Sequence, residues 1–180
     1  APSGPFALRP TVAASVAQAF ADPSATFDVT LVTVKSWASA EVGQALASAG
    51  QYGRVISMQN GVGNEAMLAA ALEHRVPDPL YARAARPCPA VGAGAVTVGV
   101  TVDQPGVIAV SSGGGVGLED DRGGYGRALG ARLTAGGVAV HLVDDPVALK
   151  WSKLLLNMLG AATAAIVDRA PIDVLARRDV

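Results

Sequence analysis

The 180-residue chain is long enough for one domain or one and a fraction, and with 51% hydrophobic but only 4% aromatic residues its core must be built from Ala, Val and Leu. A net charge of −1, with both signs scattered along the chain, offers no basic patch for nucleic acid or an anionic membrane. The single cysteine, Cys88, excludes an internal disulfide framework, and two isolated histidines, His74 and His141, argue against a zinc site.

No run reaches the ~18 uninterrupted apolar residues of a membrane span. No charged start followed by an apolar run marks a signal peptide, so the expected location is the cytoplasm. In chain order, Phe6–Leu8 reads as a short strand stopped by Pro10. Thr11–Ala21 reads as a helix with Val12, Val16, Ala19 and Phe20 on one face. Phe27–Val34, rich in β-branched residues, suits an interior strand. Ser39 can cap a helix to Ala49 that Gly50 closes. Arg54–Met58 is the next strand, Gln59–Gly63 a tight turn, and Asn64–His74 a helix with Asn64 as its cap. Strand, helix, strand, turn and helix in that order predict a parallel sheet with helical crossovers.

Arg75–Ala90 holds four prolines and three arginines and reads as an exposed irregular loop. Val91–Val102 alternates like one strand, and Asp103–Gly106 turns into a second, Val107–Val110. A glycine-rich bend leads to Val116–Leu118, Tyr125–Ala135 is a helix, and Val138–Val143 a strand expected to run parallel to the first two. Asp144-Asp145 and Pro146 cap and start a long helix that ends near Asp168–Pro171.

That last helix is apolar on nearly every side (Val147, Leu149, Trp151, Leu154, Leu155, Leu156, Met158, Leu159), which predicts burial. Yet Lys150, Lys153 and Asn157 share one narrow stripe, because residues three and four apart lie on one face. The small Gly160 and Ala161 follow. A buried lysine needs an anionic partner or a task; the alternative is that both lysines snorkel to water along their apolar stems.

Gly61-Val-Gly63-Asn-Glu-Ala66 formally matches the dinucleotide fingerprint, after a strand and opening a helix. The strand that should follow about 20 residues on falls in the proline-rich loop instead, so it is rejected as the pyrophosphate site. Its glycines permit a sharp turn with positive φ. The turn would lie at the carboxyl edge of the sheet, where open α/β sheets bind ligands, and Asn60 would offer an amide there.

Three blocks then stand out: Val32-Thr-Val-Lys35-Ser-Trp37, Gln59-Asn60-Gly-Val-Gly-Asn-Glu65 and Lys150-Trp-Ser-Lys153-Leu-Leu-Leu-Asn157. In this order and spacing the chain resembles the ketopantoate reductases (2-dehydropantoate 2-reductases). Pro105-Gly106-Val107 followed by Gly115-Val-Gly-Leu118 also looks like this family. The resemblance covers nearly the whole chain except the Arg75–Ala90 loop.

The resemblance implies an α/β fold. Residues 1–143 would form a partial Rossmann-like parallel sheet with helical crossovers that binds NADPH. Residues 144–180 would open an all-α C-terminal domain for substrate and dimerisation. It implies hydride transfer from NADPH to the keto carbon of 2-dehydropantoate, giving pantoate for pantothenate and coenzyme A synthesis, with a homodimer as the candidate assembly. By the same resemblance Lys153 is the general acid, Asn157 and Asn60 bind the keto acid, and Lys35, Asn60 and the backbone near Val100 approach the cofactor. The residue types suit the chemistry, since hydride addition to a ketone creates an oxyanion that needs a positive donor.

Two departures follow. The family opens with a Gly-x-Gly-x-x-Gly turn that nothing before Phe6 supplies, and its later helices carry a serine and a glutamate of the site. The chain is therefore expected to be an interior piece, inactive alone. Many members also carry an asparagine four residues after the one matching Asn157; here Ala161 removes that amide. Two other readings stay open: a related dehydrogenase of another 2-keto or 2-hydroxy acid, and a non-catalytic protein that keeps the half-sheet as an interaction module.

Overall fold

The computed structural model describes residues 9–22, 24, 26–50, 52–73 and 91–168. The expected strand at Phe6–Leu8 and the loop Arg75–Ala90 lie outside the described residues. In chain order the elements are α1 (Val16–Ala19), β1 (Val29–Val32), α2 (Ser39–Ala49), β2 (Arg54–Ser57), α3 (Asn64–Glu73), β3 (Val91–Val96), β4 (Gly99–Gln104), β5 (Val107–Ser112), β6 (Val116–Glu119), α4 (Tyr125–Ala135), β7 (Val140–Val143), α5 (Pro146–Asn157) and α6 (Thr163–Val167). A single π turn, Met158–Ala162, joins α5 to α6 without a break. Among the described residues no helix is long and apolar enough to cross a membrane.

Five strands form one sheet in the order β1-β2-β3-β6-β7. Neighbours β1/β2, β2/β3 and β6/β7 are parallel, as the helical crossovers require. The pair β3/β6 is antiparallel, with Gly94 opposite Leu118 and Val96 opposite Val116. The expectation that Val138–Val143 runs with the first two strands is therefore corrected: β7 runs against them. The cause is the stretch read as one long strand, Val91–Val102. The chain leaves the sheet at Thr97, whose N–H donates to the Gly115 carbonyl and whose hydroxyl accepts from the Gly115 N–H. It then makes an antiparallel ribbon, β4/β5, and returns beside β3 as β6. Gly114 permits the return, because an added Cβ there would sit 2.5 Å from the Thr97 carbonyl oxygen.

The sheet carries a core on each face. Period-two alternation sends Val55 to a cluster under α2 and α3 with Val32, Leu46, Leu68, Leu72 and Val91. Ile56 goes to the opposite cluster, under α4, with Val116 and Leu118. The strand β7 starts two residues later than expected because the Val138 N–H is spent on the Leu133 carbonyl, closing the C-terminus of α4. The first helix is reduced to Val16–Ala19: Ser15 accepts from the Gln18 N–H and starts it late, and Val12, 84% exposed, has nothing to pack on.

The helix α5 begins as expected, with Asp145 accepting from the N–H groups of Val147 and Ala148 and Pro146 in the first turn. Its burial is the reverse of the expectation. Lys150 is its one buried residue, whereas Val147, Trp151, Leu155 and Leu156 are all more than half exposed. The helix rests on the sheet through a narrow strip, with Leu149 against Gly117, and its wide apolar side faces away.

Candidate active site

The carboxyl ends of β1 and β2 are stitched together by buried polar side chains. Gln59 Nε2 donates to the Val34 carbonyl and to Ser39 Oγ, both at 2.9 Å. Ser39 Oγ lies 2.7 Å from the Ser36 carbonyl and 3.1 Å from Asn64 Oδ1. Asn64 Nδ2 donates to the Asn60 carbonyl at 3.0 Å, and Ser36 Oγ donates to the same oxygen at 2.9 Å. Ser39, Gln59 and Asn64 are all buried. The expected caps are thus corrected. Ser39 does not cap α2, which a 3₁₀ turn at Ser36–Ala38 leads into, and Asn64 spends its amide on joining the start of α2 to the Asn60 turn. The turn itself is as read: Gly61 and Gly63 have φ of 90° and 86°.

This network holds Lys35 and Asn60 in neighbouring loops. Lys35 is exposed just before the 3₁₀ turn, and Asn60 is exposed with its backbone carbonyl fixed and its side-chain amide unengaged among the described residues. Replacing Gln59 by leucine would strand the Val34 carbonyl and loosen both loops. Unfolding free energy is expected to fall by about 1–3 kcal/mol, the usual cost of a buried polar group left without a partner. Urea unfolding with an unchanged m value would show it.

The reversal at β3/β6 brings α5 to this edge. The first turn of α5, at Pro146 and Val147, lines a cavity of about 270 Å³ with Val91, Ala93, Glu119 and the start of α3. Leu149 already reaches Gly117, so the helix climbs in the direction of β3 toward its carboxyl end. Lys150 then meets the end of β2, donating to the carbonyls of Gln59 at 2.9 Å and Ser57 at 3.1 Å. Glu65 Oε1 lies 2.8 Å from its ammonium. Lys153 and Asn157 share the face of Lys150 and stand about 4.5 Å and 10 Å further along the axis. Both are half-buried, and among the described residues no hydrogen bond or ion pair engages either side chain.

Of the five residues singled out from sequence, Lys35 and Asn60 lie in neighbouring loops at this edge, and Lys153 and Asn157 follow on the helix face whose Lys150 reaches it. Val100 is placed apart, 58% exposed on the β4/β5 ribbon, where it pairs with Val110. None of the five lines the cavity. Sequence reasoning missed Ser39, Gln59 and Glu65; the first two are polar residues in runs that read as cap and turn, and their partners lie 25 residues or so away. Chemically, an exposed cation and an amide at the carboxyl edge fit the anionic, amide-bearing character of a nicotinamide dinucleotide. The unengaged lysine opposite fits a developing oxyanion.

The sequence model of the family described as "Ketopantoate reductase PanE/ApbA" matches residues 4–120. A 2-dehydropantoate 2-reductase of Halobacterium salinarum is 32% identical over 171 residues, covering 91% of this chain and 50% of that protein. Among solved structures, the 2-dehydropantoate 2-reductase of Geobacter metallireducens superposes with a TM-score of 0.64 at 22% identity, covering 86% of this chain and 48% of that one. A D-mandelate dehydrogenase solved with NADH and anilino(oxo)acetate gives 0.62 at 18% identity, covering 82% and 44%. The chain spans about half the length of the relatives it matches.

Proposed function

The chain belongs to the ketopantoate reductase family, an oxidoreductase family, and from that premise we propose that the full-length protein reduces 2-dehydropantoate to pantoate with NADPH, in the cytoplasm, as a step toward pantothenate. One observation carries the reading: Lys153 and Asn157 stand half-buried, and unengaged among the described residues, on the face of α5 whose Lys150 reaches the Gln59–Asn60 peptide. NADPH, when bound, supplies the hydride. Lys35 and Asn60 are the residues of this chain that would hold its nicotinamide half. Asn157 orients the keto acid through its amide. Lys153 donates its ε-ammonium proton to the ketone oxygen as negative charge develops there, which removes the need for water to do so.

Loss of NADPH absorbance in the presence of ketopantoate tests the reading on the full-length protein. Turnover with kcat/KM at least tenfold above that for 2-oxo acids lacking the hydroxymethyl group is the expected result. A sister reading, reduction of a different 2-keto acid, is favoured by Ala161, which withdraws one amide from the substrate contacts. A reversed preference among the acids would select it. No turnover with any 2-oxo acid would overturn both.

A further inference from the structure

Lys150 is the one buried lysine of α5, and the chemistry above gives it nothing to do. Its ammonium lies 2.9 Å from the Gln59 carbonyl, 3.1 Å from the Ser57 carbonyl and 2.8 Å from Glu65 Oε1, with Ser57 Oγ more distant at 3.4 Å. An ammonium has three N–H donors, and the two carbonyls and the Ser57 hydroxyl take all three, with Glu65 beside them as an ion pair rather than a hydrogen-bond acceptor. Lys150 therefore has no proton to offer a substrate, although it sits one turn from Lys153 on the same stripe. A leucine would fill this volume in a leucine-rich helix without the cost of desolvating a cation. What a leucine could not do is grip the backbone. Ser57 ends β2, and Gln59 is bonded to Asn60, so the ammonium holds the peptide that presents Asn60. Glu65, from the first turn of α3, balances the ammonium's charge as an ion pair.

We propose that Lys150 is a positioning residue for the reduction: it pins the helix that carries Lys153 and Asn157 to the turn that carries Asn60, and Glu65 locks the pin. The proposal rests on the functional reading of Lys153 and Asn60. It explains why two lysines three residues apart have opposite surroundings, one fully engaged and one unengaged.

The test uses Lys150→Met, Glu65→Gln and the double variant in the full-length protein, with Lys153→Ala beside them. Misplacing a reacting group by about 1 Å costs on the order of 10²-fold. Lys150→Met is therefore expected to lower kcat about 10- to 100-fold, with KM for NADPH within about twofold of the parent. The double variant, freed of a lone carboxylate, should regain melting temperature but not kcat. A residue with only a structural role would move melting temperature and leave kcat per folded molecule alone. If Lys150→Met and the double variant both fail to fold, Lys150→Arg carries the test. Its guanidinium keeps a cation opposite Glu65 but cannot seat between the two carbonyls in the same way, so kcat per folded molecule should fall whatever the melting temperature does. Folded Lys150 variants with kcat within about twofold of the parent overturn the proposal when Lys153→Ala is impaired. If Lys153→Ala itself keeps its kcat, the functional reading has failed and this one falls with it.

Discussion

Replacing Lys153 by alanine in the full-length protein is expected to lower kcat for ketopantoate by about 10²–10⁴, the usual range for loss of a general acid. KM for NADPH should change little, because Lys35 and Asn60, on the sheet side, are the cofactor contacts proposed here. The expectation rests on contrast within one helix. Lys150 is fully engaged by two carbonyls and a carboxylate. Lys153, about 4.5 Å further along the same face, is half-buried and unengaged among the described residues. Asn157, a turn beyond it, carries no titratable proton, so Asn157→Ala should act on KM for the keto acid more than on kcat. A Lys153→Ala protein that is folded and keeps near-parental kcat would make Lys153 a snorkelling residue and leave the protonation step to another group.

The largest effect on stability is expected from Leu118→Ala, at about 4 kcal/mol, in the upper part of the range for a buried leucine. Leu118 is fully buried in the centre of β6. Two of the sites around it are glycines. A Cβ added at Gly94 would lie 3.3 Å from Leu118 Cδ2, and one at Gly130 3.8 Å from Cδ1. Neither position has a side chain that can swing into the space, and Gly94 is fixed in the sheet by its register with Leu118. Only Met58, packed over Gly94, can lean into the cavity, and what stays open makes the truncation costly. Urea unfolding at constant m would measure the loss; a loss below about 1 kcal/mol would mean that α4 settles onto the sheet.

The elements from β1 to α3 were legible because each carries its own local signal: β-branched runs for the strands, and Gly50 and the Gly61/Gly63 turn for the boundaries. The direction of β7 was not, because a strand's residues do not encode which way it runs. Direction is set by what the chain does between strands, and here that is a ribbon released from the sheet by one hydrogen-bonded pair, Thr97 and Gly115. The site was legible in part for the same reason. The stripe of Lys150, Lys153 and Asn157 follows from helical spacing alone. Which lysine is sealed in and which is left open depends on where α5 seats along the sheet, and that is decided by Leu149 against the bare face of Gly117.

The contact between Lys150 and Gln59 joins residues 91 positions apart in the chain. On a ribosome the strands, helices and loops that hold Lys35 and Asn60 emerge long before the helix that completes the edge. Through that interval Glu65 and the Ser57 and Gln59 carbonyls have water as their partner. Closure strips that water from a carboxylate, two carbonyls and an ammonium. Contacts of such sequence separation slow folding. A buried charge as the fastener also makes the edge discriminating: an α5 seated one turn out of register would either set Val147 against those groups and leave Glu65 without a cation, or spend the ammonium of Lys153 there.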